Sequence, residues 1–368
     1  MAIRVWDYCD DIGPKAIVHV HEPRAGLKGI VVVDNVAAGP AIGGTRMAPD
    51  VSLDECFRLA RAMTFKNASA GLPHGGAKSV IYADPLMAQD KKERVLRAFA
   101  RAINPIRDYI PGPDMGTNEN AMAIIKDEGG QCAGLPKALG GIPLDEIGAT
   151  AYGVVASADQ AIRRTGKTLE GARVAVQGFG AVGAHAARYF RKEGAIVVGA
   201  ADLSGAVYAE DGLDIDAMIA HKSDGGVSSF EGGTHFERDA VIGFDCDILV
   251  PAARPDVIRA DNQADVKASL IVPGANIGIT EEAEAMLHAR DVLCVPDFIA
   301  NAGGVICAAV EFGGGTQSQV FPIIDEKVRA NTDETLDRSE RDGNLPREAA
   351  TQMAQERLAA AMQYRRFL

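Results

Sequence analysis

Several features are missing from this 368-residue sequence, and each absence removes a class of protein. No two cysteines form a CxxC pair: Cys9, Cys56, Cys132, Cys246, Cys294 and Cys307 lie far apart, which predicts reduced, mostly buried thiols. No apolar run reaches the ~18 residues of a membrane span. Residues 1–11 lack the basic start and apolar stretch of a secretory signal, so a cytoplasmic protein with no membrane partner is expected. Basic residues are in deficit, 38 against 50 acidic ones, for a formal net charge of −12. With no local basic patch to offset that charge, a nucleic-acid partner is not expected. Internal repeats, low-complexity segments and long flexible linkers are absent too.

Hydrophobic residues make up 47% and charged residues 24%, close to globular averages, which excludes wholesale disorder. The length suits roughly two domains. The 40 glycines cluster: Gly43 with Gly44, Gly75 with Gly76, several within 178–183, Gly303 with Gly304, and 313–315. Such clusters mark tight turns or close approaches of the backbone. Residues 16–21 and 30–33 read as strands. Ser52, with Glu55 three residues on, reads as the capping box of a helix running to about Ala68 and breaking at residues 71–73. A second helix is predicted from about Asp90. From about Ile147, short apolar runs at 173–177, 195–200, 246–250, 269–272 and 292–295 alternate with helical stretches, and 222–234 reads as a surface excursion. Runs without period-two alternation suggest a parallel sheet covered on both faces. The tail from about Pro322 reads as two amphipathic helices on either side of residues 341–344.

Within that second region lies Gly178-Phe-Gly180-Ala-Val-Gly183, after a strand and opening a helix, with a second strand leading to Asp202 nineteen residues later. This context, more than the GxGxxG pattern itself, points to a dinucleotide fold. Gly178 permits the turn, Gly180 lets a pyrophosphate reach the backbone at the helix N-terminus, and Gly183 lets helix and strand pack closely. Asp202 is expected to bind the adenosine ribose hydroxyls and repel a 2′-phosphate, which favours NAD. About 170 residues precede the motif, enough for a separate substrate domain, with catalysis expected in the cleft between the two.

The first region carries Lys66, near the end of an apolar helical face, and Lys78, after Gly75 and Gly76 at the entry to an apolar strand. Buried lysines are costly unless paired or deprotonated, so one could bind a substrate carboxylate while the other serves as a base. Snorkelling surface lysines are the alternative. Asp114 sits in the stiff Pro111-Gly-Pro-Asp-Met-Gly116 loop, as a functional acid or a turn former. His19 and His21 share a strand face but have no third ligand at helpful spacing, so no metal is expected. His74 lies near Lys78 and either tunes it or makes a structural hydrogen bond.

The runs Gly39-Pro-Ala-Ile42-Gly43-Gly44-Thr-Arg46-Met47, residues 66–78, Pro113-Asp114-Met-Gly116, Thr150-Ala-Tyr-Gly153 and Asn301-Ala-Gly-Gly304 together resemble the glutamate/leucine/phenylalanine/valine dehydrogenases. The resemblance covers nearly the whole chain in order. It implies an α/β fold with an N-terminal substrate-binding and oligomerisation domain (1–145), a Rossmann-type NAD-binding domain (146–320) and C-terminal helices (321–368) packing back on the first. It implies a homo-oligomer that oxidatively deaminates an L-amino acid to a 2-oxo acid and ammonium. By position, Lys66 matches the lysine that holds the substrate carboxylate, Lys78 the base that activates water, and Asp114 the acid that exchanges protons with the amino group. Gly43 and Gly44, with Met63 beside them, match the carboxylate site. Thr150, Asn276 and Asn301 match contacts to the nicotinamide end. Where glutamate enzymes carry a lysine for the side-chain carboxylate, this sequence has Ile42, which implies an apolar substrate, branched-chain or aromatic. Residues 74–78 and 272–276 are nearer the glutamate branch, and Arg24 or Lys28 are the other cations available for a γ-carboxylate. A silent amino acid or NAD sensor is disfavoured, because Lys66, Lys78 and Asp114 buried without chemistry would tend to destabilise the fold.

Overall fold

The computed structural model describes residues 5–222 and 225–364. The chain forms two compact units, one made of Met1–Pro143, Val305–Val320 and Gln352–Leu368, the other of Leu144–Gly304 and Phe321–Thr351.

In the first unit, β1 (Ala16–Glu22), β2 (Leu27–Asn35), β3 (Ala41–Ala48), β4 (Gly76–Tyr82) and β5 (Tyr109–Pro113) form one sheet in the order β1-β2-β4-β3-β5. Strand β3, between β4 and β5, runs parallel to both. Helix α1 (Leu53–Ser69) is capped by the Ser52 side chain, which accepts from the Glu55 amide. One face of α1 places Cys56 and Ala60 on Val32 and Val80. The opposite side of the sheet is covered by α2 (Gln89–Ile103) and α3 (Glu119–Asp127), whose Leu96, Phe99, Met122 and Ile125 join the main core. Burial of each such side chain is worth ~1.5–3 kcal/mol, so this core fixes the sheet that carries Lys78.

The second unit starts with α4 (Ala149–Ile162) and builds a seven-stranded sheet. Its strands are β6 (Arg173–Gln177), β7 (Ile196–Asp202), β8 (Gly205–Tyr208), β9 (Thr234–Phe236), β10 (Ile248–Pro251), β11 (Leu270–Ile271) and β12 (Leu293–Cys294). The order is β12-β11-β10-β6-β7-β8-β9. The five strands from β12 to β7 are parallel, as expected for a doubly wound domain, whereas β8 and β9 are antiparallel additions that the sequence reading did not foresee. Helices α5 (Ala181–Lys192), α6 (Ile215–His221), α7 (Glu281–His288) and α8 (Asp297–Ala300) connect them. Of the expected surface excursion, 223–224 lie outside the described residues, and the remainder is more than surface: Val227 and Phe230 are buried.

Three helices complete the chain: α9 (Gly303–Phe312), α10 (Gln317–Asp342) and α11 (Pro346–Met362). Their allocation differs from boundaries at 146 and 320. Residues 305–320 group with the first unit, where Ala308, Ala309 and Phe312 pack on Ile42, Ile110 and Ala133. Most of α10 groups with the second unit, where Thr332 meets Ser157 of α4 at 2.9 Å and Arg164 pairs with Asp333, Asp337 and Glu340. Helix α11 is divided: up to Thr351 it groups with the second unit, and from Gln352 it packs on the first, with Ala354 and Leu358 against Ala37 and Ala68. The physical reason is polarity. The α10 face is a stripe of hydroxyls and acids complementary to α4, while the later part of α11 offers small apolar side chains.

Candidate active site

The parallel register of the first sheet sets Gly44 of β3 opposite Gly112 of β5, with Thr45 opposite Ser79 of β4 one residue on. Lys78 is therefore next to Gly44 across the sheet. A Cβ on Gly44 would lie 2.8 Å from Asp114 Cβ and 3.2 Å from Lys78 Nζ. Only glycine there lets the two charged side chains meet. They do meet: Lys78 Nζ is 2.8 Å from Asp114 Oδ2, with Lys78 only 6% exposed. Gly43 is equally constrained, since its Cβ would fall 1.6 Å from the Ala77 carbonyl oxygen.

The Asp114 loop is stitched to the end of β3. Met47 donates its amide to the Met115 carbonyl, Thr117 Oγ1 donates to the Thr45 carbonyl at 2.7 Å, and the Asp114 amide donates to Thr117 Oγ1. Gly116 turns the chain at φ +81, where a Cβ would strike the Met47 carbonyl oxygen. Burial pushes the Asp114 carboxyl up, but Lys78 and then Arg46 outweigh it and hold the group below the usual carboxylate range. Beneath the site, Ser79, Thr45 and Tyr109 join hydroxyls, and Tyr109 OH donates to the Gly43 carbonyl at 3.1 Å.

Lys66 and Met63 are half-buried on α1, flanking Thr64, whose backbone closes on Gly76. Next to Lys66, Asn67 is fully buried and donates to the Gly75 carbonyl at 2.7 Å, tying the helix end to the glycine turn. Ile42 is 4% exposed within the apolar cluster of Ile110, Ala133 and Phe312. His74 takes the structural reading: its Nδ1 lies 3.0 Å from the Pro40 carbonyl oxygen and its ring sits edge-on to Phe312. Lys28 lies over Tyr82 at the far end of β4, six residues or ~20 Å of strand from Gly76. It therefore offers no cation near Ile42. Nor does Arg24, in the turn joining β1 to β2.

In the second unit the strand order reverses between β6 and β10, and the turn after β6 sits at that switch point, where open α/β sheets bind ligands. The glycines divide the work. Gly178 has φ +100, and a Cβ would come within 2.5 Å of Ala253 Cβ. A Cβ on Gly183 would sit 1.8 Å from the Gly178 carbonyl oxygen. Gly180 would meet nothing within 4 Å, and it lies at the N-terminus of α5. A clear, open approach to a helix N-terminus is what a pyrophosphate requires, so the residues fit a dinucleotide.

Asp202 ends β7 as expected, but its carboxylate is largely committed. Oδ1 accepts from the Ser204 amide at 2.7 Å and from the Ser204 hydroxyl, and Oδ2 accepts from the Val227 amide at 3.0 Å. The Gly205 amide adds a further hydrogen bond to this carboxylate, so its roughly four acceptor positions are nearly all taken before a ribose arrives. Asn301 is buried, donates to Asn276 Oδ1 at 2.9 Å, and keeps an unpartnered buried Oδ1. Thr150, in the first turn of α4, stands where a Cβ on Gly304 would come within 2.8 Å of its hydroxyl. The structure thus gathers Thr150, Asn276 and Asn301 around α8 and its exit.

Sequence reasoning missed Arg46, which donates from Nε to Asp114 Oδ2 at 3.1 Å and from its terminal nitrogen to Glu55. It also missed Glu311, whose carboxylate accepts the amides of Gly134, Leu135 and Ile142, and the Arg347 pairs with Glu284 and Asp297. Arg46 stood within a quoted motif, so its position two residues after Gly44 on one strand face was an available signal. The other two depend on long-range contacts.

Two family models match the chain: "Glutamate/Leucine/Phenylalanine/Valine dehydrogenase" over residues 140–366 and "Glu/Leu/Phe/Val dehydrogenase, dimerisation domain" over residues 14–130. An NADP-specific glutamate dehydrogenase of Saccharolobus shibatae is 36% identical over 309 residues, covering 80% of this chain and 72% of that protein. An NAD-specific glutamate dehydrogenase of Staphylococcus aureus is 37% identical over 319 residues, covering 82% and 77%. The structure of a hetero-hexameric glutamate dehydrogenase from Thermus thermophilus, in a leucine-bound form, superposes with a TM-score of 0.85 at 32% identity, over 96% of this chain and 90% of that one.

Proposed function

Since this chain belongs to the glutamate/leucine/phenylalanine/valine dehydrogenase family, and so is an amino acid dehydrogenase using a pyridine nucleotide, we propose that it carries out the reversible, NAD-dependent oxidative deamination of an apolar L-amino acid. The product is the 2-oxo acid with ammonium. The observation that carries the reading is the Lys78–Asp114 pair lying over a glycine with no room for a side chain.

In this reading Lys66 offsets the substrate carboxylate, beside the Gly43 and Gly44 backbone and Met63. Asp114 takes a proton from the substrate ammonium so that nitrogen can donate electrons to Cα. Lys78 then accepts a proton from the water that attacks the imino carbon, and Asp114 returns its proton to the departing amine. The bound nicotinamide supplies the acceptor for the electron pair leaving Cα. Gly178, Gly180 and Gly183 shape its pyrophosphate cradle, while Thr150, Asn276 and Asn301 hold its far end. Asp202 reads the ribose, which supports NAD over NADP.

The apolar side chain is supported by Ile42, buried with Ile110 and Phe312, and by the distance of Lys28 and Arg24 from it. The two sequence relatives, both glutamate dehydrogenases, favour the second reading, glutamate. A panel decides: NADH oxidation with ammonium and 2-oxo acids from branched-chain and aromatic compounds to 2-oxoglutarate. Preference for the former supports this proposal, and preference for 2-oxoglutarate replaces it with the glutamate reading. Assembly as an oligomer is supported by the dimerisation-domain match and the hetero-hexameric relative, and identical subunits complete this part of the proposal. Among the described residues no helix is long and apolar enough to cross a membrane, and a cytoplasmic location completes the proposal.

A further inference from the structure

A residue outside the lysine and aspartate pair has a task that neither of them can perform. Asp114 offers one oxygen, Oδ2, to two cations at once: Lys78 Nζ at 2.8 Å and Arg46 Nε at 3.1 Å. Arg46 stands two residues beyond Gly44 on the same face of β3, and Glu55 of α1 grips its other end. Glu55 is fixed in turn by the capped first turn of α1, where its amide donates to Ser52. The chain Ser52–Glu55–Arg46–Asp114 thus runs from a helix terminus to the reacting carboxylate.

Resting on the proposed deamination, we infer that Arg46 is a positioning residue that holds Asp114 through the part of the cycle in which Lys78 cannot, and that it reserves Asp114 Oδ1 as the proton-carrying oxygen. The physical reason lies in the two cations. A lysine that works as a base is neutral for part of each turnover and turns its nitrogen toward water. At that stage its hold on Asp114 is lost or reversed, because a neutral amine is a weak donor to a carboxylate. A guanidinium does not deprotonate in a protein, and its planar fork can bind Glu55 and Asp114 together. Oδ2 then stays occupied in every protonation state of Lys78. When the substrate ammonium gives up a proton, the N–H bond breaks and the O–H bond forms at Oδ1, and that proton returns to nitrogen as the amine leaves.

The groups facing Asp114 are Lys78 on β4, Arg46 on β3 and Tyr109 on β5, while Glu55 and Cys56 on α1 face Arg46 and Lys78 behind them. Burial pushes the Cys56 thiol up to about 12 and raises the Tyr109 hydroxyl as well, so neither titrates in the acidic range in which Asp114 does. The ionisation of Asp114 therefore reports the presence of Arg46.

The test compares the wild-type enzyme with Arg46→Met, Arg46→Lys and Glu55→Gln. It measures kcat and KM for deamination against pH, and the Asp114 carboxyl by 13C NMR titration, assigned through Asp114→Asn. Arg46→Met should lower kcat at least tenfold with the amino acid KM within about twofold. It should also move the acid limb of the kcat profile and the NMR titration upward by about one pH unit, the low end of what an adjacent cation confers. Arg46→Lys should restore the limb, and Glu55→Gln should give an intermediate loss of kcat. A limb and titration that stay in place in Arg46→Met, or in the equally uncharged Arg46→Gln if Arg46→Met does not fold, would overturn the inference. Should the wild-type protein turn over no amino acid, the proposed function fails on its own, and the NMR titration alone still decides whether Arg46 governs Asp114.

Discussion

Replacing each fingerprint glycine by alanine separates folding from cofactor binding, because the same added methyl meets three different surroundings. At Gly183 the new Cβ would lie 1.8 Å from the Gly178 carbonyl oxygen, so helix α5 must move away from β6 by ~1.5 Å to restore ordinary contact. Overpacking of this kind costs ~3 kcal/mol at the upper end of its usual range, less ~1 kcal/mol regained from helix propensity. A net loss of about 2 kcal/mol corresponds to a fall of roughly 4–8 °C in the melting temperature of a unit this large. Gly178→Ala should fall at least as far, since it combines the φ of +100 with a collision at Ala253. Gly180 has extended backbone, φ −82 and ψ −158, and open space before it. Alanine there should melt within about 3 °C of wild type, the worth of a small change at a helix cap. Yet the methyl would stand in the path of the pyrophosphate, so the Kd for NADH should rise at least tenfold, or about 1.4 kcal/mol. Thermal melting without nucleotide and fluorescence titration with NADH measure both quantities. Gly180→Ala binding NADH within twofold of wild type would refute the placement of the pyrophosphate. An unchanged melt in Gly183→Ala would refute the packing argument.

Three further outcomes are expected. Gly44→Ala should cut kcat ~100-fold, because moving Asp114 and Lys78 apart by about 1 Å spoils a reacting geometry; full activity would show that their contact is not needed. Asp202→Asn should narrow the preference for NAD over NADP while keeping the Ser204 and Val227 hydrogen bonds in part, and an unchanged KM ratio would leave Asp202 as a purely structural acid. Because Asp114 is held below its ordinary pKa, its ionised form adds stability that is complete above about pH 4 and is lost as the pH falls further. Asp114→Asn should therefore flatten the acid limb of the melting temperature below about pH 4, and a parallel curve would remove Asp114 as a contributor.

The local elements and the order of the motifs follow from the amino-acid sequence alone. Ser52 with Glu55 marked the start of α1, the β6–Gly178–α5 run declared its own geometry, and Lys66, Lys78 and Asp114 stood out because charged residues in apolar or rigid settings are costly. Local rules sufficed there, since capping, glycine conformation and hydrophobic spacing act over a few residues. What those residues touch is set by the folded chain. It put Gly44 beneath the Lys78–Asp114 contact through strand register, and it set Arg46 between the carboxylates of Asp114 and Glu55. It spent most of Asp202 on Ser204 and Val227, and it moved Lys28 far from Ile42. It also divided the tail, because α10 matches Ser157 of α4 and Arg164 just beyond it while the later part of α11 matches the alanines of the first unit. Each of these turns on which surfaces are complementary across tens or hundreds of residues, and composition and spacing do not encode that complementarity.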